Sequence, residues 1–337
     1  MMNVLISSNV TLEHRYMTSE LHYLALSKLA PVQVYTHGHP VTSGIPRDIM
    51  DYYLSWNIAE LPENPQRFYT ETLVRIPAND VPWEFFEPRT ENGTSLIAGG
   101  SRFDHFDRKS LAENVWSDNE EAMEMFTNPN ANIYFCAQAP FKFHFTFDKI
   151  LREILRQDSN AVIVLIEMRG VLQNLHTRIT SRLSSEVDMS RVLFAPRMEH
   201  HHLMAMYSLA DVVLDSVYFG GDTTSREAFE TGAPVITLPY KTIGQRWTQA
   251  YYRMMGIEDY IASNPDHYVD LAVNMAKKTS LEKVNIRKRI KRLAHEKLYR
   301  IEDGVKYWVQ AFLDIATRPR RFHWNSEDVG TGLHGEL

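Results

Sequence analysis

The stretch that decides the fold class covers residues 212–227 and has the sequence VVLDSVYFGGDTTSRE. It begins as a short β-branched apolar run, passes through Gly220 and Gly221, and continues with hydroxyl residues into a segment of helical pattern. Outward from it, the same alternation of apolar runs and helical segments recurs from about residue 130 onward. This alternation is typical of βαβ units, so we predict an α/β fold with a parallel sheet.

The predicted elements follow from apolar periodicity along the chain. In the C-terminal half, strands are predicted at 133–136, 161–166, 192–194, 212–214 and 234–238. Helices are predicted at 147–155, 172–183, 203–209, 224–230, 246–255, 266–277, 281–298 and 302–316. The first 120 or so residues are less regular, with short strands predicted at 4–6, 32–35, 52–54 and 73–77. The acidic stretch 117–121 and the loop 127–130 predict a boundary between domains 1–127 and 128–316, followed by a polar tail at 317–337.

Charge and cysteine usage exclude several classes of function. The chain has 36 Lys and Arg against 42 Asp and Glu, a net charge of -6, so we expect no nucleic acid partner. The single cysteine, Cys136, excludes an internal disulfide and suits a reducing compartment. No apolar run approaches the ~18 residues of a membrane span, and the N-terminal run is too short for a signal peptide. We therefore expect a cytoplasmic protein with no membrane partner.

The segment 215–227 has the composition of a phosphate site. Backbone N–H groups at a helix N-terminus are unsatisfied and carry the positive end of the helix dipole. Gly220 and Gly221 would let a diphosphate approach the backbone, and Thr223 and Thr224 would add hydroxyl donors. Glu227, about one turn further, is placed to accept hydrogen bonds from ribose hydroxyls. The alternative is that the threonines cap a helix and the glycines form a turn.

Two further segments follow predicted strands, where open α/β sheets place their ligands. Gln138 and Lys142 follow the strand 133–136, and Lys142 is either a phosphate-neutralising group or an ordinary surface lysine. Arg197 and Met198 precede three histidines, 200–202, after the strand 192–194. Consecutive helical side chains point ~100° apart and cannot converge on one metal ion, so a zinc site here would need ligands from elsewhere in the chain. We therefore predict an imidazole that stacks on a base, whose edge the loop backbone recognises.

A fourth segment, 36–44, is a turn-rich loop that contains His37 and His39. Both histidines can titrate near neutral pH, so either can assist proton transfer in a reaction. Equally, both can be loop histidines that hydrogen-bond to the backbone. The sequence leaves both interpretations open.

Several motifs resemble, in order and approximate spacing, those of the O-GlcNAc transferase family, including its bacterial members and the Spindly-type protein O-fucosyltransferases. The N-terminal motifs are LAPVQ (29–33), GHP with TSG (38–44) and MDYY (50–53). The C-terminal motifs are FK (141–142), LADVVLD (209–215), GDTT (221–224) and TGAPVITLP (231–239). The similarity extends from the first residues to about Ala276, and the combination is far more specific than any single motif.

The resemblance implies a GT-B glycosyltransferase with two Rossmann-like lobes and no metal or other cofactor. The lobe 1–127 would be an incomplete acceptor lobe, and 128–316 would hold the nucleotide sugar. Lys142 would stabilise the diphosphate leaving group, Thr223 and Thr224 would bind the phosphates, and Glu227 would hold the ribose. One of the three histidines, here taken as His202, would lie against the base. His37 or His39 would compensate for a histidine-bearing motif that the family normally carries upstream.

Two departures from the family pattern qualify this expectation. Asp222 stands where many animal members have a histidine, which leaves the donor sugar open. The upstream part of the first lobe and the usual tetratricopeptide array are missing, so self-association or a partner is expected to cover the first lobe. The function predicted is inverting transfer of N-acetylglucosamine from its uridine diphosphate conjugate to protein Ser or Thr. The alternatives are a catalytically weak nucleotide-sugar-binding module, or an O-fucosyl- or N-glucosyltransferase of the same fold.

Overall fold

A computed structural model describes residues 4–8, 25–36, 42–76, 90–91, 94–95, 105–167, 174–299 and 301–317. The chain divides into two compact units. The first comprises Met1–Ala78 with Val305–Leu337, and the second comprises Asn79–Gly304. These bounds differ from the division at residue 127 that the sequence predicts, because the second unit begins earlier and the C-terminal segment groups with the first.

The first unit contains a four-stranded sheet whose strands are all parallel. They are β1 (Val4–Ser8), β2 (Val32–Thr36), β3 (Tyr52–Trp56) and β4 (Thr72–Ile76), and they lie in chain order across the sheet. All four coincide with strands predicted from the sequence. The rings of Tyr35, Tyr53 and Tyr69 pack together with Ile45 and Met50 as a buried core on this sheet. The helix Ile301–Thr317 belongs mostly to the same unit.

The second unit is built on a five-stranded parallel sheet. Its strands are β7 (Asn132–Cys136), β8 (Ala161–Ile166), β9 (Val192–Ala195), β10 (Val212–Leu214) and β11 (Val235–Ile236). A two-stranded antiparallel pair, β5 (Thr90–Glu91) and β6 (Thr94–Ser95), precedes them. The strands of the large sheet are nearly all buried because parallel strands carry helices on both faces. This confirms the predicted α/β class.

The strand order is β11-β10-β7-β8-β9, so the first strand of this sheet lies in its middle. The chain builds outward from β7 to β9 and then returns to the other side of β7 as β10. Such a reversal is a topological switch point, where the loops after two neighbouring strands separate and leave a crevice. The crevice of this sheet therefore lies beyond the carboxyl ends of β7 and β10.

The helices of the second unit connect these strands and complete the layer around the sheet. They are Arg108–Val115, Glu120–Thr127, Phe145–Gln157, Asn174–Leu183, His200–Leu209, Thr223–Thr231, Trp247–Met255, Pro265–Ala276 and Ser280–Leu298. All but the first two were predicted. Within the described residues, no helix is both long and apolar enough to cross a membrane.

The predicted domain boundary falls on a helix of the second unit. The acidic pair Glu120 and Glu121 occupies the first turn of the helix Glu120–Thr127, where carboxylates interact favourably with the helix dipole. The preceding Trp116 donates its indole N–H to the carbonyl of Phe194, at 3.0 Å. The acidic stretch that predicts a domain boundary therefore includes the start of a helix, and the indole of Trp116 attaches this segment to β9.

Candidate functional site

The segments that follow β7 and β10 contact each other at the switch point. The Gln138 side-chain amide donates to the hydroxyl of Thr224 at 2.6 Å. The Lys142 ammonium donates to the carbonyl of Gly220 at 3.1 Å. Two segments that are about 80 residues apart in the sequence, and that were singled out independently, thus form one site.

Lys142 lies at the end of a short 3-10 turn, Pro140–Lys142, and is half-buried. Its ammonium is held between the Gly220 carbonyl and the side-chain oxygen of Gln138, at 2.8 Å, and lies 4.5 Å from the ring centroid of Phe219. Burial lowers the pKa of Lys142 below its ordinary value, and the carboxylates of Asp215 and Asp222 oppose that shift. The ammonium is therefore held by hydrogen bonds to Gln138 and Gly220. These contacts and the two carboxylates compensate only part of the free energy lost when the ammonium is removed from water.

Asp215 holds the glycine turn in place and was missed by the sequence analysis. Its buried carboxylate accepts hydrogen bonds from the Gly221 N–H at 2.7 Å and from the hydroxyls of Thr237 and Thr248, each at 2.8 Å. Burial raises the pKa of Asp215, and these hydrogen bonds and Lys142 oppose the rise. The signal that could have identified it is an acidic residue placed directly at the end of an apolar strand.

Gly221 is required by close packing rather than by an unusual backbone angle. A Cβ atom at this position would collide with the side chains of Gln138, Thr224 and Ser225. The predicted need for glycine thus has a physical basis. The space that a side chain would fill is taken by the polar groups that join the two segments.

Thr223 and Thr224 are the first residues of the helix Thr223–Thr231, as the phosphate-site interpretation requires. The first N–H groups of any α-helix have no partner within the helix, so this end offers donors to an anion. Asp222 stands at the N-cap position, and its side chain makes no cap hydrogen bond. Instead its carboxylate accepts a hydrogen bond from the Tyr251 hydroxyl and forms an ion pair with Arg226 at 3.2 Å.

The three adjacent histidines point in different directions. His200 Nε2 lies 3.0 Å from the carboxylate of Glu227, which is buried. His201 and His202 instead lie against the ring of Phe106, with centroid distances of 6.0 and 5.2 Å. The helix begins at His200, three residues earlier than predicted. The three histidines therefore lie in the first turn of the helix rather than in the loop before it. His200 is the histidine beside the predicted ribose-binding residue, and contact of His202 with a base stays a prediction.

The remaining predicted residues are placed as follows. Arg197 is exposed and Met198 is half-buried in the loop between β9 and the helix His200–Leu209. His37 and His39 lie outside the described residues. Among the residues that the structure describes, no group of three or more His, Cys, Asp or Glu side chains is arranged to hold a metal ion. The predicted roles of these residues are therefore still expectations.

An aromatic patch beside Lys142 is a second feature that the sequence analysis missed. Phe141 packs on Phe219, with ring centroids 6.4 Å apart, and Tyr218 packs on Tyr240 at 4.9 Å. Phe141 is 53% exposed and Tyr240 is 45% exposed. Tyr218 has a φ of 69°, a left-handed conformation that is uncommon for residues other than glycine. The patch provides an apolar surface next to the ammonium.

Sequence comparison identifies the family to which this site belongs. The profile of glycosyl transferase family 41 matches residues 107–306, which is more than half of the chain. The chain belongs to glycosyl transferase family 41. The resemblance to O-GlcNAc transferases is thereby confirmed, and the matched region contains Gln138, Lys142 and the segment 215–227.

Similar proteins support the same assignment. The chain is 26% identical over 267 residues to a protein of Arabidopsis thaliana and 25% identical over 266 residues to one of Hordeum vulgare. Both are named probable UDP-N-acetylglucosamine–peptide N-acetylglucosaminyltransferase SPINDLY. The matches cover 76% and 74% of this chain but only 25% and 23% of the relatives, so the chain spans about a quarter of their length.

Comparison with a solved structure confirms the fold. A variant of the O-GlcNAc transferase of Thermobaculum terrenum superposes with a TM-score of 0.61 at 20% identity. The match covers 85% of this chain and 48% of that one. Both units of the family 41 chain thus carry parallel Rossmann-like sheets, as expected for the GT-B class.

Proposed function

We propose that this chain binds a nucleotide sugar at the switch point of its second unit and transfers the sugar to a protein hydroxyl. The observation that carries the proposal is the junction between Lys142 and the N-terminus of the helix Thr223–Thr231. Lys142 and this helix end together supply an ammonium, backbone N–H groups and two hydroxyls. The names of the plant relatives support the uridine diphosphate conjugate of N-acetylglucosamine as donor.

These groups match the charge that develops in such a transfer. Breaking the bond between the sugar and the phosphate leaves negative charge on a nucleoside diphosphate. Preorganised donors stabilise that charge because they need no reorientation during the reaction. The Lys142 ammonium is held in position by hydrogen bonds to Gln138 and Gly220, so it meets this condition. We propose a metal-independent reaction on this basis.

The reaction proposed is direct attack of a Ser or Thr hydroxyl on the anomeric carbon, with inversion. The bond between the anomeric carbon and the new oxygen forms as the bond to the diphosphate breaks. The hydroxyl proton passes to the leaving phosphate or to a nearby side chain. Holding both reactants in this geometry lowers the barrier because little translational entropy remains to be lost.

The nucleoside is proposed to lie between the helix Thr223–Thr231 and the loop that contains Arg197 and Met198. Glu227 would accept hydrogen bonds from the ribose hydroxyls, and His200 orients its carboxylate. The loop backbone would recognise the edge of the base. Because none of these contacts is specific to uracil, the identity of the base is part of the proposal that must be tested.

The decisive experiment measures binding by isothermal calorimetry and thermal shift with uridine diphosphate (UDP), guanosine diphosphate and their sugar conjugates. Ligand that binds the native state raises the melting temperature by mass action. UDP should bind wild-type protein, and Lys142→Ala should weaken that binding at least tenfold, since hydrogen bonds to charged groups contribute about 1.5–3 kcal/mol. Lys149→Ala is the matched control because Lys149 is exposed on the neighbouring helix.

Each outcome has a distinct meaning. Preference for guanosine diphosphate would replace N-acetylglucosamine transfer by fucosyl transfer. Binding without release of diphosphate in the presence of protein acceptors would favour a nucleotide-sugar-binding module. A folded protein that binds neither nucleotide would contradict the proposal.

A further inference from the structure

Asp222 places a carboxylate at the start of the helix that is proposed to hold a diphosphate. An acidic group normally interacts favourably with a helix N-terminus. A bound diphosphate changes this balance, because two anionic groups would then share the same helix end. The site already contains the buried carboxylates of Asp215 and Glu227. A further uncompensated charge at residue 222 would therefore oppose the binding of a diphosphate.

The structure shows how this charge is balanced. Arg226 lies one turn along the same helix, and its Nε is 3.2 Å from Oδ1 of Asp222. Only 7% of the Arg226 side chain is exposed, compared with 21% of the Asp222 side chain. The guanidinium also donates to the hydroxyl of Thr223 at 3.4 Å. The cation is thus directed toward the first residues of the helix rather than toward solvent.

Tyr251 fixes the orientation of this pair from a second helix, Trp247–Met255. Its hydroxyl donates to the same oxygen of Asp222. The guanidinium of Arg226 lies 5.9 Å from the centre of its ring, within the range of a cation–π contact. The carboxylate also lies close enough to Lys142 to raise the pKa of that ammonium. The charge at residue 222 therefore acts on the group proposed to meet the diphosphate.

We propose that Arg226 is a positioning residue that neutralises Asp222, so that the helix N-terminus stays attractive to a diphosphate. This inference rests on the proposed function of the same site. Arg226 acts through Asp222, and Tyr251 holds the carboxylate where the guanidinium reaches it. The pair thus allows a carboxylate to stand beside the phosphates without repelling them.

A double-mutant cycle in binding affinity tests this role. Arg226→Gln should weaken UDP binding about tenfold, because it exposes the diphosphate to an uncompensated carboxylate. Asp222→Asn should bind UDP at least as tightly as wild type. The double variant Asp222→Asn with Arg226→Gln should return to within about twofold of wild type. Uridine, which has no phosphate, should bind all four proteins with the same affinity.

The controls separate electrostatics from folding. Arg226→Lys keeps the charge and should retain most of the UDP affinity, even if Arg226→Gln alone proves too unstable to purify. Equal loss of UDP affinity in the Arg226→Gln single variant and in the double variant would overturn the proposal, as would parallel loss of uridine binding. Wild-type protein that binds no nucleotide would overturn the proposed function itself. UDP binding in which the effects of Asp222→Asn and Arg226→Gln simply add would overturn only the role of Arg226.

Discussion

At the scale of single residues, Lys142 has an ammonium that is held in position by hydrogen bonds and a pKa that is shifted from its ordinary value. Its ammonium contacts a carbonyl and an amide oxygen, and neither of these neutral partners fully replaces water. The pKa of Lys142 is therefore lowered by burial. A bound diphosphate would supply the missing negative charge, so binding should favour the protonated form.

This coupling predicts how the affinity for UDP depends on pH. Because the pKa of Lys142 is lowered from 10.5, the ammonium loses its proton at a lower pH than an exposed lysine does. UDP affinity should therefore fall as the pH rises through that lowered pKa. Calorimetry from about pH 7 to about pH 10 measures the fall. Lys142→Arg should make this fall smaller, because arginine stays protonated over this range. An affinity that falls equally in both proteins would contradict the assignment to Lys142.

Gly221 makes a separate prediction about stability. Gly221→Ala should destabilise the second unit by about 1–3 kcal/mol, because the methyl group has no space among three polar side chains. Chemical denaturation measures the effect. Gly256→Ala is a useful comparison, since Gly256 has a φ of +67° but open space around it, and backbone strain alone should cost about 1 kcal/mol. A smaller loss at Gly221 than at Gly256 would show that the junction relaxes.

At the scale of elements, the sequence predicted the strands and most helices because their apolar periodicity is strong. It also predicted candidate site residues in the segments after β7 and β10, and the structure brings these segments into contact, since parallel strands end at one edge of a sheet. The orientation of individual side chains was harder to predict. The helix after β9 begins at His200, three residues before the predicted start. This position of the helix start places the imidazole of His200, rather than that of His202, in contact with Glu227. Asp215 was missed because its role depends on Thr237 and Thr248, which are distant in sequence.

The contact between the helices that carry His200 and Glu227 leads to a prediction about the sugar of the nucleoside. Glu227→Gln should lower UDP affinity about tenfold, because a charged acceptor for the ribose hydroxyls is lost. It should also reduce the preference for UDP over its 2′-deoxy analogue. Competition calorimetry with both nucleotides measures the two effects. Glu153→Gln, a more exposed position on the helix Phe145–Gln157, is the control. An unchanged preference would place the ribose elsewhere.

At the scale of the whole molecule, two parallel-sheet units could be predicted, but their boundaries could not. The acidic stretch near residue 120 predicts a boundary between domains, yet it contains the start of a helix within the second unit. Acidic and polar residues occur on the exposed face of a helix as well as in loops, so composition alone does not distinguish a helix from a domain boundary. The C-terminal segment from Val305 groups with the first unit, although it follows the second unit in the chain. This grouping depends on contacts between residues that are distant in sequence, and local sequence patterns do not predict such contacts.

The central position of β7 also affects how the second unit is synthesised and folds. As the chain leaves the ribosome, β7 can pair with β8 on one edge, but its other edge has no partner until β10 is synthesised. The first residue of β10, Val212, is 76 positions after Cys136, the last residue of β7. Until then that edge exposes unpaired N–H and C=O groups, which invite pairing with other chains. Since the site requires the β7–β10 junction, it is complete only after this late pairing. The proposed nucleotide binding would therefore distinguish fully folded chains from nascent ones, and a nucleotide present during synthesis would favour the pairing of β7 with β10.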